Sequence, residues 1–418
     1  MLPPMKAGIP ESPERRVGAF PEAAQKVGNG EKILRRALYI SPIDMRQNNG
    51  MAQLQAQLLQ GVCSLYDRVD LLSLGAGPAA ARRWLRTMGL SVNVLESAFA
   101  RLAHSNGIAW YGGGAILCNK LRWIDRFHFP VRTPLPRSWI DRYQIIVCFY
   151  PWAHRLLELD RAGSKVVVVT GDVMADRHER IGARRWITLD ARDERAILQS
   201  QSRCVAVSHD DAVEFKRLYG VDVPDLQFLP PSYPELISLA SIGGPARVGF
   251  LGARSFVNEQ ILQLLTQEDF LGPLAQAGIE LVVAGGICNG VQRSTLQALE
   301  QGGARVLGRI ESTRDFYGQV SAVLNPVGPS TGIKIKSVEA LMAGRALITT
   351  RWGADESLRT AFPDQITYIE WPIEASALAE LTVNVVKGAA SVNPVAARNY
   401  AEESNEKLRS LFLPEPSR

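Results

Sequence analysis

The sequence predicts an α/β protein made of two Rossmann-like doubly wound domains facing a cleft. Short, near-continuous apolar runs recur from residue 37 to residue 370 and alternate with stretches whose apolar residues fall three and four apart. That alternation is what a parallel sheet covered by helices on both faces requires. The breakers Gly243, Gly244 and Pro245 divide the runs into two series. The length, 418 residues, suits two or three domains of roughly 100–200 residues each.

Residues 1–30 are rich in Pro, Gly and charge and read as a flexible tail. A first domain, 31–240, comes next, with strands expected at 37–42, 70–75, 92–96, 145–150, 165–172, 204–208 and 226–230. Between them, 101–140 holds "WYGGGA" and "FHFPVRTPLPRSW" and reads as long loops. "PELISLASIGGPA" reads as a connector. A second domain, 246–393, carries expected strands at 247–253, 280–286, 305–310, 322–327, 346–350 and 366–370. A last helix within 394–418 comes after the final strand and lies outside the second alternating series. No internal sequence repeat accompanies the two series.

Composition narrows the chemistry. The chain is 46% apolar and 21% charged, as in ordinary soluble domains. It holds no run of about 18 apolar residues that would span a bilayer and no apolar leader core near its start. Five scattered cysteines, never in a C-x-x-C pair, fit a reducing cytoplasm and argue against a zinc or disulfide framework. Residues 1–240 carry 31 Lys and Arg against 24 Asp and Glu, so the first half is the one suited to an anionic partner. The basic residues are dispersed, which disfavours nucleic acid. The stretch 120–144 interleaves Arg with Trp and Phe. It fits either contact with anionic lipid, at the inner face of a membrane, or a partly buried loop.

In open parallel sheets ligands bind at the carboxyl ends of strands, and three such ends are Gly-rich or polar. The first, 41–50, places Asn49 and Gly50 at a tight turn opening a helix, an acceptor-side candidate or a plain turn. The second, 250–258, ends a strand in Gly252, with Arg254 and Asn258 beyond it. The third is "GPSTGIKIKSVEALMAGRALITT", where a strand-to-helix loop carries Thr331 and Gly332. There the amides of Gly332, Ile333 and Lys334 would face an anion from the positive end of the helix. Lys334 and Lys336 add charged donors. Glu339 lies about 40° from Ile335 around the helix, on the rim of its apolar stripe, where it could accept the hydroxyls of a ribose. A nucleoside diphosphate needs that combination; a solvated lysine face is the bland alternative. His154 stands after a strand end and Asp172 after the next; for His154 a structural or surface histidine is the competing reading. No D-x-D pair or metal-ligand cluster is readable, so no metal and no cofactor is expected.

The stretch "TGIKIKSVEALMAGRALITT" resembles the donor-site signature of retaining glycosyltransferases of the two-Rossmann (GT-B) class, family 4 type. Glu339 matches the second glutamate of that signature, which in the family holds the nucleotide ribose, and the run "EALMAGRALITT" matches the family's residues from that glutamate onward. "RVGFLGARSFVNEQILQLL" resembles the first strand and helix of the donor domain. "RVLGRI" resembles the strand whose end, here Arg309 and Ile310, meets the nucleobase, and "CVAVSHDDAVEFKRLYG" resembles a segment late in the first domain. The sequence departs from the family in three places. Thr331 stands where the first glutamate touches the donor sugar, Lys334 replaces a glycine, and Ala253 and Asn258 replace a basic pair. The resemblance implies transfer of a sugar from a nucleotide sugar, UDP- or GDP-linked, to a glycan, lipid-linked or protein acceptor in surface polysaccharide or glycoconjugate synthesis. It also implies retention of configuration, with no metal. On this reading the catalytic residues are Lys334, beside the leaving diphosphate, and Thr331 and His154, at positions that in the family face the donor sugar. A non-catalytic nucleotide-sugar-binding subunit is the competing class, motivated by Thr331.

Overall fold

The structure is a computed structural model. It describes residues 34–42, 50–109, 132–175, 189, 191–240, 245–330, 332–388 and 394–413. The expected tail at 1–30, the basic stretch 120–131, Asn49 and Thr331 lie outside the described residues.

Among the described residues, twelve strands form two six-stranded sheets. The first contains β1 Arg36–Ser41, β2 Arg68–Ser73, β3 Asn93–Val94, β4 Ile145–Phe149, β5 Val166–Val169 and β6 Arg203–Val205. The second contains β7 Arg247–Leu251, β8 Glu280–Ala284, β9 Arg305–Gly308, β10 Ala322–Asn325, β11 Ala346–Thr349 and β12 Ile366–Tyr368. The first runs β3-β2-β1-β4-β5-β6 and the second β12-β11-β10-β7-β8-β9. Counted from its own first strand, the first sheet has the order 3-2-1-4-5-6, the second has its mirror reading 6-5-4-1-2-3, and every pairing is parallel. This is the doubly wound order, and it puts a switch point between β1 and β4 and another between β7 and β10. Helices cover both faces, so "IIVCF" and "VVVV" are wholly buried and carry no polar alternation.

Among the helices, α1 is Gly50–Leu65, α2 Pro151–Leu157, α3 His209–Tyr219, α4 Tyr233–Ala240, α5 Phe256–Leu265, α6 Thr313–Tyr317, α7 Ile335–Met342 and α8 Pro394–Phe412. Serine hydroxyls cap two that open at strand ends. Ser208 accepts from the Asp211 amide at the start of α3, and Ser255 from the Asn258 amide at the start of α5.

Three expectations are corrected. Residues 226–230 are buried but form no strand. Pro224, Pro230 and Pro231 lack the N–H groups that a ladder needs. Pairing stops after the single bridge Ala206–Asp225. Side chains take over the backbone groups instead: Gln57 Oε1 accepts from Leu229 N (3.1 Å), while Tyr400 and Ser404 hydroxyls donate to Phe228 O (2.9 Å) and Gln227 O (2.5 Å). The "connector" is largely α4, whose Leu236, Leu239 and Ala240 are buried. The 101–140 loop region begins inside a helix, Ala98–Ile108, and ends in another, Arg137–Ile140.

The last helix, α8, comes after the second sheet in sequence but packs on the first domain. Tyr66 donates its hydroxyl to Phe412 O (2.8 Å), and Lys407 pairs with Asp225 (2.8 Å). Gly61 of α1 lies so close to Leu408 that a Cβ there would come within 2.0 Å of the leucine side chain.

Candidate active site

The carboxyl ends of the two sheets face one another, and the site is built where they meet. On the second sheet, the ends of β7, β8 and β9 lie backbone on backbone. Gly252 N donates to Ala284 O (3.0 Å) and Gly285 N to Gly308 O (2.8 Å). A Cβ on Gly285, whose φ is 103°, would stand 2.4 Å from Gly252 O. Only glycine permits that approach. Arg254 is exposed beyond this floor with its side chain lying over Gly290. Arg309 is exposed and Ile310 half-buried at the end of β9.

Beside β7, strand β10 ends at Asn325, and the loop after it turns at Gly332, φ 74°. Asn325 Nδ2 donates to Ser337 Oγ (2.7 Å), which ties the strand end to the first turn of α7. Lys334 stands at the start of α7 with no side-chain cap on the helix amides. Its ammonium donates to Gly332 O (2.7 Å). Burial pulls the Lys334 pKa down, against the opposing pull of Asp211, Asp172, Asp210 and Asp355. Lys336 reaches sideways: its Nζ donates to Asn258 Oδ1 (2.9 Å) and lies 4.6 Å from the centre of the Phe250 ring. Burial first, then Lys334, bring its pKa down to about 7. Asn258 is itself fixed by donating to Ala253 O (2.7 Å).

Glu339 is more deeply buried than a rim position implies, at 3% exposure. The helical spacing places it correctly, but α6 and α1 close over it. Its Oε2 accepts from the Tyr317 hydroxyl (3.0 Å), and Gln53 of α1 donates to the same carboxylate. Burial pushes its pKa up to about 7, with both hydrogen bonds opposing the rise. A residue of the first domain therefore reaches the carboxylate expected to meet the ribose.

The first domain contributes more carboxylates than the sequence suggested. Asp172, after β5, stands so close to Gly332 that a Cβ there would lie 2.2 Å from its Oδ1. Asp211 in the first turn of α3 accepts from Ser208 Oγ (2.6 Å) and from the Gly332 amide (3.4 Å). Burial, then the neighbouring Asp172 charge, push Asp211 up to about 7. A small cavity of about 20 Å³ lies here, lined by Ser208, Asp210, Lys334, Trp352, Asp355 and Tyr400 among others.

Of the residues singled out in the sequence, Gly252, Asn258, Gly332, Ile333, Lys334, Lys336, Glu339 and Asp172 lie along this facing edge. Gly50 opens the helix that carries Gln53. His154 is not brought here. It is fully buried in α2, its Nε2 3.0 Å from Ser202 Oγ at the amino end of β6 and 3.9 Å from Asp160. Burial holds its pKa down at about 4, so it is a neutral core histidine. The sequence reading missed Gln53, Tyr317, Asp211 and Asp355. Only Asp211 carried a signal, as the second Asp after a helix-capping Ser in "SHDD". Among the described residues no three His, Cys, Asp or Glu side chains are grouped as metal ligands, and no helix is long and apolar enough to cross a membrane.

Comparison with known proteins agrees with this geometry. Residues 245–385 match the family model described as Glycosyl transferases group 1. No curated protein matches the chain. Among solved structures, HepE of Anabaena in complex with UDP is 13% identical with a TM-score of 0.55, covering 91% of this chain and 97% of that one. HepE with UDP and glucose is 15% identical, with a TM-score of 0.53 and coverage of 90% and 97%. A glycosyltransferase from Rickettsia africae is 12% identical, with a TM-score of 0.53 and coverage of 91% and 94%. The chain has the GT-B fold of these solved structures, and its second domain is similar to the group 1 glycosyl transferases over residues 245–385.

Proposed function

We propose that the protein transfers a sugar from a nucleoside-diphosphate sugar to an acceptor hydroxyl, with retention of configuration and without a metal. The observation that carries this is the convergence, inside the family-matched segment, of the Gly332–Lys334 loop, the Lys336–Asn258 pair and the buried Glu339 at the edge facing the first domain. The start of α7 and the two lysines would hold the diphosphate, and Glu339 the ribose. As the bond from the anomeric carbon to the diphosphate breaks, the bond to the acceptor oxygen forms. The acceptor's proton leaves on the released diphosphate. Fixed positive groups lower the barrier because they already point at the charge that develops. Gly252, Arg254, Arg309 and Ile310 would border the nucleoside, and Asp172 the acceptor side. UDP is the first nucleotide to try, since the HepE structures contain it. A lipid-linked acceptor and a role in surface polysaccharide synthesis belong to the same proposal, resting on the basic first half of the sequence.

Calorimetric titration of UDP, GDP and ADP into wild type and Glu339→Gln tests it. A lost charge-assisted hydrogen bond is worth roughly 1.5–3 kcal/mol, so affinity is expected to fall about ten- to a hundred-fold. Unchanged affinity for the nucleotide that binds wild type refutes the ribose role. The second reading, a nucleotide-sugar-binding subunit without chemistry, is favoured by Thr331 in place of the sugar-contacting glutamate. Donor turnover with a broad acceptor set separates the two.

A further inference from the structure

Two aspartates of the first domain bear on a single point of the second. The Gly332 amide, in the loop between β10 and α7, is one of the donors assigned to the phosphate in the proposed function. That amide already donates to Asp211 Oδ1 at 3.4 Å. The carboxylate is not there by accident of a flexible side chain. Asp211 is 2% exposed, sits in the first turn of α3, and is fixed through its other oxygen by the Ser208 hydroxyl at 2.6 Å. Asp172 approaches the same glycine from the end of β5, and its buried carboxylate fills the space a side chain at 332 would need. Behind Asp172, the next turn of the chain is pinned. Glu194, wholly buried, accepts from Met174 N (2.7 Å), Ala175 N (3.2 Å) and the Tyr219 hydroxyl (2.8 Å). Lys334 lies within the field of both aspartates.

We infer that Asp211, supported by Asp172, competes with the donor phosphate for the Gly332 amide and the Lys334 charge, so that donor binding exchanges a protein carboxylate for a phosphate. This rests on the donor site proposed above and adds a residue that tunes its affinity. The first-domain aspartates weaken binding of any anion at the loop, the more so the greater its charge. A second effect is coupling: a phosphate seated at Gly332 removes one of the contacts that hold the two domain edges together.

The test is titration of inorganic pyrophosphate and of UDP, GDP and ADP into wild type, Asp211→Asn, Asp172→Asn and the charge-matched control Glu402→Gln, whose side chain is exposed on α8. Asp211→Asn keeps the shape and an acceptor oxygen but removes the charge, and melting curves confirm that each variant is folded. Expected is a rise of about tenfold in affinity for pyrophosphate and for the nucleotide that binds wild type, of the size of one charge-assisted contact. A rise in the same direction is expected for Asp172→Asn, and none for Glu402→Gln. Equal or weaker binding by Asp211→Asn overturns the inference while leaving the nucleotide site standing if wild type binds nucleotide. Tighter pyrophosphate with no nucleotide bound by either protein supports the competition and refutes the nucleotide reading. A matching rise in Glu402→Gln overturns it too, since net charge would then be the cause.

Discussion

Tyr317→Phe isolates the contact that most changes the view of Glu339. The substitution removes one oxygen from a wholly buried ring and leaves its packing against Phe316 intact (ring centres 5.2 Å apart). What is lost is the 3.0 Å hydrogen bond from the hydroxyl to Glu339 Oε2, together with the longer 3.3 Å contact of the same hydroxyl with Lys336 O. A hydrogen bond to a charged partner is worth roughly 1.5–3 kcal/mol. At about 1–2 °C per kcal/mol for a chain of this length, that is about 1.5–6 °C in melting temperature. The pH dependence gives the sharper test. The Tyr317 hydrogen bond opposes the burial that pushes Glu339 up to about 7, so removing it raises that pKa further. Above pH 7 the folded wild type holds a charged Glu339 that needs its donor; below it the carboxyl is protonated and needs it less. The deficit of the variant is therefore expected to be larger at about pH 8 than at about pH 5.5. Paired thermal melts of wild type and variant at the two pH values measure it. A deficit of equal size at both, or none, would refute the claim that Tyr317 stabilises the charged form of Glu339.

Asp211→Asn is also expected to change the pH profile of stability. Asp211 rises from 3.8 in the unfolded chain to about 7 in the fold, so its contribution is present below about pH 4 and lost as pH rises through about 7. The variant should flatten that decline, and denaturant unfolding across this range reads it. Leu408→Ala empties the contact between α8 and Gly61 and is expected to cost about 2–5 kcal/mol, measured by denaturant unfolding; under 1 kcal/mol would show that α8 is not part of the first domain's core. His154→Gln is expected to lower melting temperature through the lost Ser202 partner while leaving nucleotide affinity unchanged; weaker nucleotide binding in a folded variant would return His154 to the site.

Period and punctuation in the sequence were enough to give the two parallel sheets, because strands buried on both faces must be apolar throughout. They were also enough to place the 328–339 loop and helix, where glycines, lysines and a carboxylate fall close together along the chain. Glu339 shows where that ended. Its helical angle was legible, but its depth was not, since Tyr317 lies 22 residues away and Gln53 comes from the other domain. The same holds for Asp211, whose contact with Gly332 spans 121 residues. His154 differs: a position after a strand end suggested a site or a structural histidine, and only packing could decide for the second by turning its ring to Ser202. Residues 226–230 had the apolar content of a strand, yet prolines withheld the donors and α8 supplied the replacements. Local pattern fixes which backbone forms an element. Which charges meet is decided by the facing of two sheets, and no local spacing records that.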